Sequence, residues 1–180
     1  TMIVTAEPSL SSSRQVGVLI DRDGTIIVDQ FYRNDISSLR FEDGAVEGLA
    51  RLASLGLPLV IVTNQSAIGR GLCSAQQVDA VNAEITERLS RHGISIAGCY
   101  VCPHAPDNPC PCRKPRDGLA RRAAQEHGLA LDRCFVIGDK DSDLALAATI
   151  GATGLLVTSG EGQDHRAAAE ARKMAICANL

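Results

Sequence analysis

Three short apolar runs, at residues 16–20, 59–62 and 134–137, each stop at polar residues: Asp21, Thr63, and Gly138 followed by Asp139. Uninterrupted β-rich runs of this length are the pattern of strands buried on both faces, as in parallel sheets covered by helices on either side. The segments between them carry helical spacing. Val46, Leu49, Ala50 and Ala53 make one apolar stripe and Val78, Val81, Ile85 and Leu89 another, with Ser74 as an N-cap and Gly56 and Gly93 as stops. Alternating strand and helix predicts an α/β fold of three layers, a central parallel sheet with right-handed crossovers. In such sheets a ligand binds beyond the carboxyl ends of the strands. All three runs deliver their polar residues at that end, so one convergent site is expected there.

A chain of 180 residues buries roughly 70% of its unfolded surface and makes a core without a metal or disulfide. Any metal therefore has a local task. The net charge of −3, with no block of Lys and Arg, argues against a nucleic-acid or anionic-membrane partner. The longest apolar runs, 57–62 and 151–157, are far shorter than the roughly 20 residues of a membrane span. Residues 1–15 read as a loose leader, 16–180 as a single domain, and the Ala-, Glu- and Arg-rich stretch after Gly160 as a terminal helix. No long exposed apolar stripe is evident, so a monomer is expected.

Seven cysteines form an odd set, and three of them crowd with a histidine as Cys102-Pro103-His104, five residues, then Cys110-Pro111-Cys112. This fits metal binding in a reducing compartment, with the cytoplasm as the expected location. Five of the seven prolines lie between residues 103 and 115, which excludes helix and central strand there. In so extended a segment, residues two apart point the same way. Cys102, His104, Cys110 and Cys112 can therefore close a tetrahedron around Zn²⁺ with no open position, a structural ion stapling the loop 102–112 and aiming Arg113 and Lys114. Cys73, Cys99, Cys134 and Cys177 read as small core residues.

The first strand runs into Asp21-Arg22-Asp23-Gly24-Thr25. One carboxylate can attack a phosphorus while the other, two positions on, handles a proton. This stretch resembles the DxDGT signature of the haloacid dehalogenase (HAD) superfamily of phosphohydrolases. The resemblance continues in order through residues 60–66 (VIVTNQS), Arg113-Lys114-Pro115 and residues 138–143 (GDKDSD). It implies a Rossmann-like HAD fold in which Asp21 is the nucleophile of an aspartyl-phosphate intermediate and Asp23 the general acid and base. It also implies Mg²⁺ held by the Asp21 carboxylate, the Asp23 carbonyl and Asp139, with Lys114 and the Thr63 hydroxyl binding phosphoryl oxygens. Asp143 is expected to orient metal-bound water or Lys114.

Neither gap in which HAD enzymes insert a cap has room for one here, so the fold is expected to be capless, with specificity from rim loops. Two zinc-loop subfamilies end their loop in CRKP: the D-glycero-D-manno-heptose 1,7-bisphosphate 7-phosphatases and the histidinol-phosphate phosphatases. Residues 64–71, NQSAIGRG, resemble the heptose group's NQSGIARG. Residues 28–32, VDQFY, resemble its VDxGY loop, and GDK at 138–140 matches its motif. The short zinc loop is shared with the histidinol group. On this resemblance Asp29, Tyr32, Asn64, Gln65, Ser66, Arg113 and Lys140 are the expected substrate-binding residues, and a small phosphorylated sugar the substrate. Histidinol-phosphate phosphatase is the alternative, with a polynucleotide 3′-phosphatase or a non-catalytic zinc-stapled binding module further behind.

Overall fold

The structure, a computed structural model, describes residues 14–29 and 36–180. Residues 1–13 of the expected leader lie outside that range. Gln15 is tied down: its N–H donates to the Gly128 carbonyl at 2.8 Å and its carbonyl accepts from Ala130 N–H at 2.9 Å.

Six strands, β1 (Val18–Ile20), β2 (Leu59–Asn64), β3 (Ile96–Cys102), β4 (Phe135–Gly138), β5 (Thr153–Val157) and β6 (Ala175–Cys177), form one sheet. Its order is β3-β2-β1-β4-β5-β6 and every neighbouring pair is parallel. β1 sits in the middle, with Leu19 registered between Val60 and Val136. Six helices join the strands: α1 (Ala45–Ser54), α2 (Ser66–Gly69), α3 (Ala75–Ser90), α4 (Gly118–His127), α5 (Asp141–Ile150) and α6 (Arg166–Ala171).

The period-two alternation of strand side chains sorts the core into two halves. Val18, Ile20, Leu59 and Ile61 pack against Leu49 of α1 and Val81, Ile85 and Leu89 of α3. Leu19, Val60, Val62 and Val136 pack on the opposite face against Leu119, Ala120 and Ala123 of α4 and Leu146 of α5. A central strand so covered must be apolar at every position, which is why the run at 16–20 reads as continuous rather than alternating. Each fully buried aliphatic side chain contributes about 1.5–3 kcal/mol, and Leu19→Ala would cost about 2–5 kcal/mol. At the start of α3 the Ser74 hydroxyl accepts from Gln77 N–H and the Gln77 side chain accepts from Ser74 N–H, a reciprocal cap.

Three strands escape the sequence pattern. β3 is an edge strand of mixed exposure interrupted by Gly98 and two cysteines, so its apolar signal is diluted. The run at 151–157 contains β5. The expected terminal helix is only the six residues of α6, and the chain then turns into β6, an edge strand of three residues too short to register as a period. Neither the described stretch between Ile26 and α1 nor the connection from β2 to β4 carries an inserted domain.

Candidate active site

In this strand order the connections leave β1 in one direction and return to its other side at β4, making a switch point between β1 and β4. Asp21 stands just past β1 there, its N–H donating to the Ile137 carbonyl at 2.8 Å and extending the ladder by one residue. Asp139 stands just past β4. Thr63 and Asn64 end β2, and Arg113 and Lys114 arrive from the proline-rich loop. Asp21, Thr63, Asn64, Arg113 and Lys114 line a cleft of about 250 Å³ with Arg22, Asp23, Asp29, Gln65, Ser66, Lys140 and Glu161, and Asp139 lies buried beneath it.

Lys114 is buried and its three N–H donors are all satisfied. Nζ donates to Asp21 Oδ1, Asp143 Oδ1 and the Val62 carbonyl, each at 2.7 Å. Burial works to discharge the ammonium, but the negative charges of Asp143 and Asp21 outweigh it and hold the lysine protonated. Asn64 locks the Lys114 backbone: its Oδ1 accepts from Lys114 N–H at 3.0 Å and its Nδ2 donates to the Lys114 carbonyl at 3.2 Å. Asn64 thus lines the cleft while both ends of its amide are engaged in fixing Lys114.

Asp21, Asp139 and Asp143 each offer a carboxylate oxygen, and these oxygens lie within 4.8 Å of one another. Asp139 is fully buried. Its Oδ2 accepts from Glu161 N–H at 2.9 Å, while Oδ1 has no partner. A buried carboxylate oxygen without a donor is costly unless a cation meets it. Burial, and then the charge of Asp21, push the Asp139 carboxyl up to about 8. Asp143 is pushed up to about 6 by burial, against the pull of Lys114. An all-oxygen cluster facing an open cleft suits a hard divalent ion such as Mg²⁺. The turn after Asp23 permits the approach: Gly24 adopts φ +80°, and a Cβ there would lie 2.2 Å from Asp139 Oδ2.

Asp23 is held by three donors. Arg22 presents its fork, Nε to Oδ2 and Nη2 to Oδ1 at 3.0 Å each, and Gln65 Nε2 donates to Oδ2 at 2.6 Å. The same Gln65 amide donates to Thr63 Oγ1 at 2.9 Å. Lys140 sits between two carboxylates, 3.3 Å from Glu161 and 3.7 Å from Asp29, and although burial opposes it, the charges of Asp139, Asp21 and these two raise its pKa. Ser66 opens α2 at the cleft wall. Tyr32 lies outside the described residues.

The second cluster lies at the end of β3. Cys102 Sγ is 3.3 Å from Cys112 Sγ, 3.8 Å from Cys110 Sγ and 3.6 Å from His104 Nδ1, which is 3.2 Å from Cys112 Sγ. Zinc–sulfur bonds of about 2.3 Å imply tetrahedral edges of about 3.8 Å, so the donor atoms already lie near a zinc tetrahedron. Burial together with hydrogen bonds to the other sulfurs pushes the Cys112 thiol up to about 12. Cys110 is drawn down to about 6: burial opposes this, but the N–H groups of Arg113 and Cys112 outweigh it. The loop rests on α2, where a Cβ on Gly69 would come within 2.5 Å of Ala105 N.

Sequence reading passed over Arg22, Asn82 and Glu161. Glu161 supplies the N–H that orients Asp139 and pairs with Lys140. Asn82, buried on α3, accepts from Arg22 Nη1 at 3.0 Å. The available signal for Asn82 is a polar residue beside the apolar stripe of a core helix, which demands a partner.

Among the described residues no helix is long and apolar enough to cross a membrane. Residues 111–180 match the HAD-hydrolase-like family. The chain is 37% identical over 153 residues to a D-glycero-beta-D-manno-heptose-1,7-bisphosphate 7-phosphatase of Yersinia pestis, covering 80% of this chain and 81% of that one. It is 34% identical over 153 residues to the enzyme of the same name from Escherichia coli K12, covering 80% of each. The solved D,D-heptose 1,7-bisphosphate phosphatase of B. bronchiseptica, complexed with magnesium and phosphate, superimposes with a TM-score of 0.84 at 28% identity, over 92% of this chain and 93% of that one. With its strand order, its aspartate cluster and relatives matched over four fifths of their length, the chain belongs to the D,D-heptose 1,7-bisphosphate phosphatase family of HAD-like phosphomonoesterases.

Proposed function

We infer that this protein removes the 7-phosphate of D-glycero-D-manno-heptose 1,7-bisphosphate, with residues 16–180 as one phosphatase domain. The observation that carries the reading is the cluster of Asp21, Asp139, Asp143 and Lys114 at the sheet's switch point, with Asp21 and Lys114 on the wall of the cleft. Names of relatives support the substrate; the site supports the chemistry.

Asp21 attacks the phosphorus through a carboxylate oxygen, forming an acyl phosphate as the bond to the sugar oxygen breaks. Asp23 gives its proton to that leaving oxygen, then takes one from the water that cleaves the acyl phosphate, restoring both aspartates. Lys114 lies against the attacking carboxylate and offsets the charge that would repel a phosphate dianion. Thr63 presents its hydroxyl to the phosphoryl oxygens. The Asp21 carboxylate, the Asp23 carbonyl and Asp139 would hold Mg²⁺, and the unpartnered Asp139 Oδ1 fits that assignment. When bound, that ion supplies further charge neutralisation at the phosphoryl oxygens.

Cys102, His104, Cys110 and Cys112 would hold Zn²⁺ as a structural ion that orders the loop behind Arg113 and Lys114. Arg113 and Lys140, both on the cleft wall, are the cations available to the second phosphate, with Asp29, Gln65 and Ser66 available to the sugar. The reading places the protein in the cytoplasm, a reducing compartment in which three thiols stay available to a metal, and takes it as a monomer.

Phosphate release with Mg²⁺ tests the reading on both anomers of the heptose bisphosphate, histidinol phosphate, fructose 1,6-bisphosphate and a 3′-phosphorylated oligonucleotide. A hundredfold advantage in kcat/KM for a heptose anomer, about 2.7 kcal/mol of transition-state discrimination, is expected. Preference for histidinol phosphate would overturn it.

A further inference from the structure

Asp23 is held from both sides by side chains of the cleft wall, Arg22 and Gln65. Arg22, between the two aspartates, is almost entirely buried and grips both oxygens of Asp23 with its fork. The fork is itself fixed by Asn82, whose Oδ1 takes the Arg22 Nη1 donor at 3.0 Å. Asn82 is buried on α3 beside Val78, Val81 and Ile85, in the part of the helix that packs on the sheet. A polar side chain at such a position is costly without a partner, and the partner here is the guanidinium that orients Asp23. Gln65 completes the cradle from the β2 side, linking Asp23 to Thr63.

We propose that Asn82 and Arg22 are positioning residues for the reaction, a relay from the core of α3 that sets the direction in which Asp23 delivers and receives its proton. The inference rests on the reading of Asp23 as general acid and base. A planar fork bound at both oxygens fixes the plane of a carboxylate as well as its position, which a lysine at residue 22 would not do. Asn82 in turn removes the rotational freedom of the guanidinium. Neither residue belongs to the lysine and aspartate cluster around the reacting carboxylate. Their loss should therefore act on proton transfer rather than on phosphate binding.

The test uses leaving-group dependence. Wild type, Asn82→Ala, Asn82→Asp, Arg22→Lys and Asp23→Asn are assayed in the burst phase with phosphate esters whose leaving groups range from a nitrophenol to an alkyl alcohol. An acid in place matters most for the alkyl ester, because a nitrophenolate departs without a proton. Asn82→Ala and Arg22→Lys are expected to slow the burst about tenfold or more for the alkyl ester and less than about threefold for the nitrophenyl ester, with KM little changed. Asn82→Asp retains an acceptor oxygen and should recover most of the rate. An equal loss across all leaving groups, or a nitrophenyl-ester burst amplitude reduced in proportion to the rate, would mark a purely structural role and overturn the relay. If Asp23→Asn itself leaves the leaving-group dependence unchanged, the role of Asp23 is overturned first. If Asp23→Asn steepens the dependence and Asn82→Ala does not, only the relay is refuted.

Discussion

Lys114 Nζ and Asp143 Oδ1 lie 2.7 Å apart with both side chains excluded from solvent, so Asp143 fixes the ammonium that also touches Asp21. The sequence reading left Asp143 between orienting water and orienting lysine; the contact is to the lysine. Asp143→Ala would leave a buried ammonium with one carboxylate fewer. Its stability is expected to fall by about 3 kcal/mol in urea unfolding, and phosphate affinity should weaken as Lys114 loosens. Asp143→Asn, which keeps an acceptor oxygen, should cost less; equal costs would show that the charge is immaterial.

Asp21→Asn should abolish turnover while the protein still folds. The amide oxygen of asparagine is a far poorer nucleophile, whereas Lys114 keeps Asp143 and the Val62 carbonyl as acceptors. A loss of about three orders of magnitude or more in kcat is expected, with far-UV circular dichroism and melting close to wild type. Residual activity near the wild-type level would rule out an acyl phosphate on this residue.

The buried Asp139 gives the metal-free protein a definite pH response. Its folded carboxyl sits at about 8, raised by burial and by Asp21, whereas a free aspartate titrates near 3.8. A raised folded value means that the folded state holds the proton more tightly. Its stabilising contribution is complete below the unfolded value and is lost as pH rises toward 8 and beyond. Melting temperatures in EDTA should therefore fall between pH 5 and pH 9. Added Mg²⁺ should restore stability most at the high end, and its apparent affinity should drop up to about tenfold per pH unit below 8, because the ion and the proton compete. Metal affinity independent of pH over that range would count against Asp139 as a ligand.

Cys102→Ser is expected to release close to one zinc per chain, read by metal analysis, and to raise KM more than it lowers the melting temperature. Cys102 closes β3 and belongs to one half of the core, with Cys110 and Cys112 packed against it, but the rest of that half and all of the other are built from strands and helices outside the loop. Arg113 and Lys114 directly follow the last cysteine and do depend on it. If the wild-type protein contains no zinc, this account of the loop fails.

Much of the candidate site was legible because polar residues stand where apolar strands stop. Asp21, Thr63 and Asp139 announce themselves at the ends of three buried runs, and the cluster of Cys102, His104, Cys110 and Cys112 by its spacing. What stayed hidden was contact between distant segments. Nothing local marks Asn82 as the partner of Arg22, or Glu161 as the donor to Asp139, because both pairings arise from the way α3 and the loop after β5 fold over the sheet. Asn64 shows the converse. Its place beside Thr63 invites a role on substrate, and in the fold the oxygen and one N–H of its amide are bonded to the Lys114 backbone. The edge strands β3 and β6 were invisible for a related reason: β3 is half-exposed and β6 only three residues long, so neither needs a continuous apolar run.

The central place of β1 bears on how the protein is made. β1 leaves the ribosome before β2 and β4, the two strands it pairs with, and its Leu19 is in register with Val60 of one and Val136 of the other. Lys114 meets Asp21 across 93 residues of chain. The nascent chain therefore carries Asp21 long before it has the lysine and carboxylates that surround it in the finished fold. Closing such distant contacts is the slow part of folding a parallel sheet. Recovery of phosphatase activity is accordingly a stringent reporter of the finished fold, and helical signal should return before it during refolding.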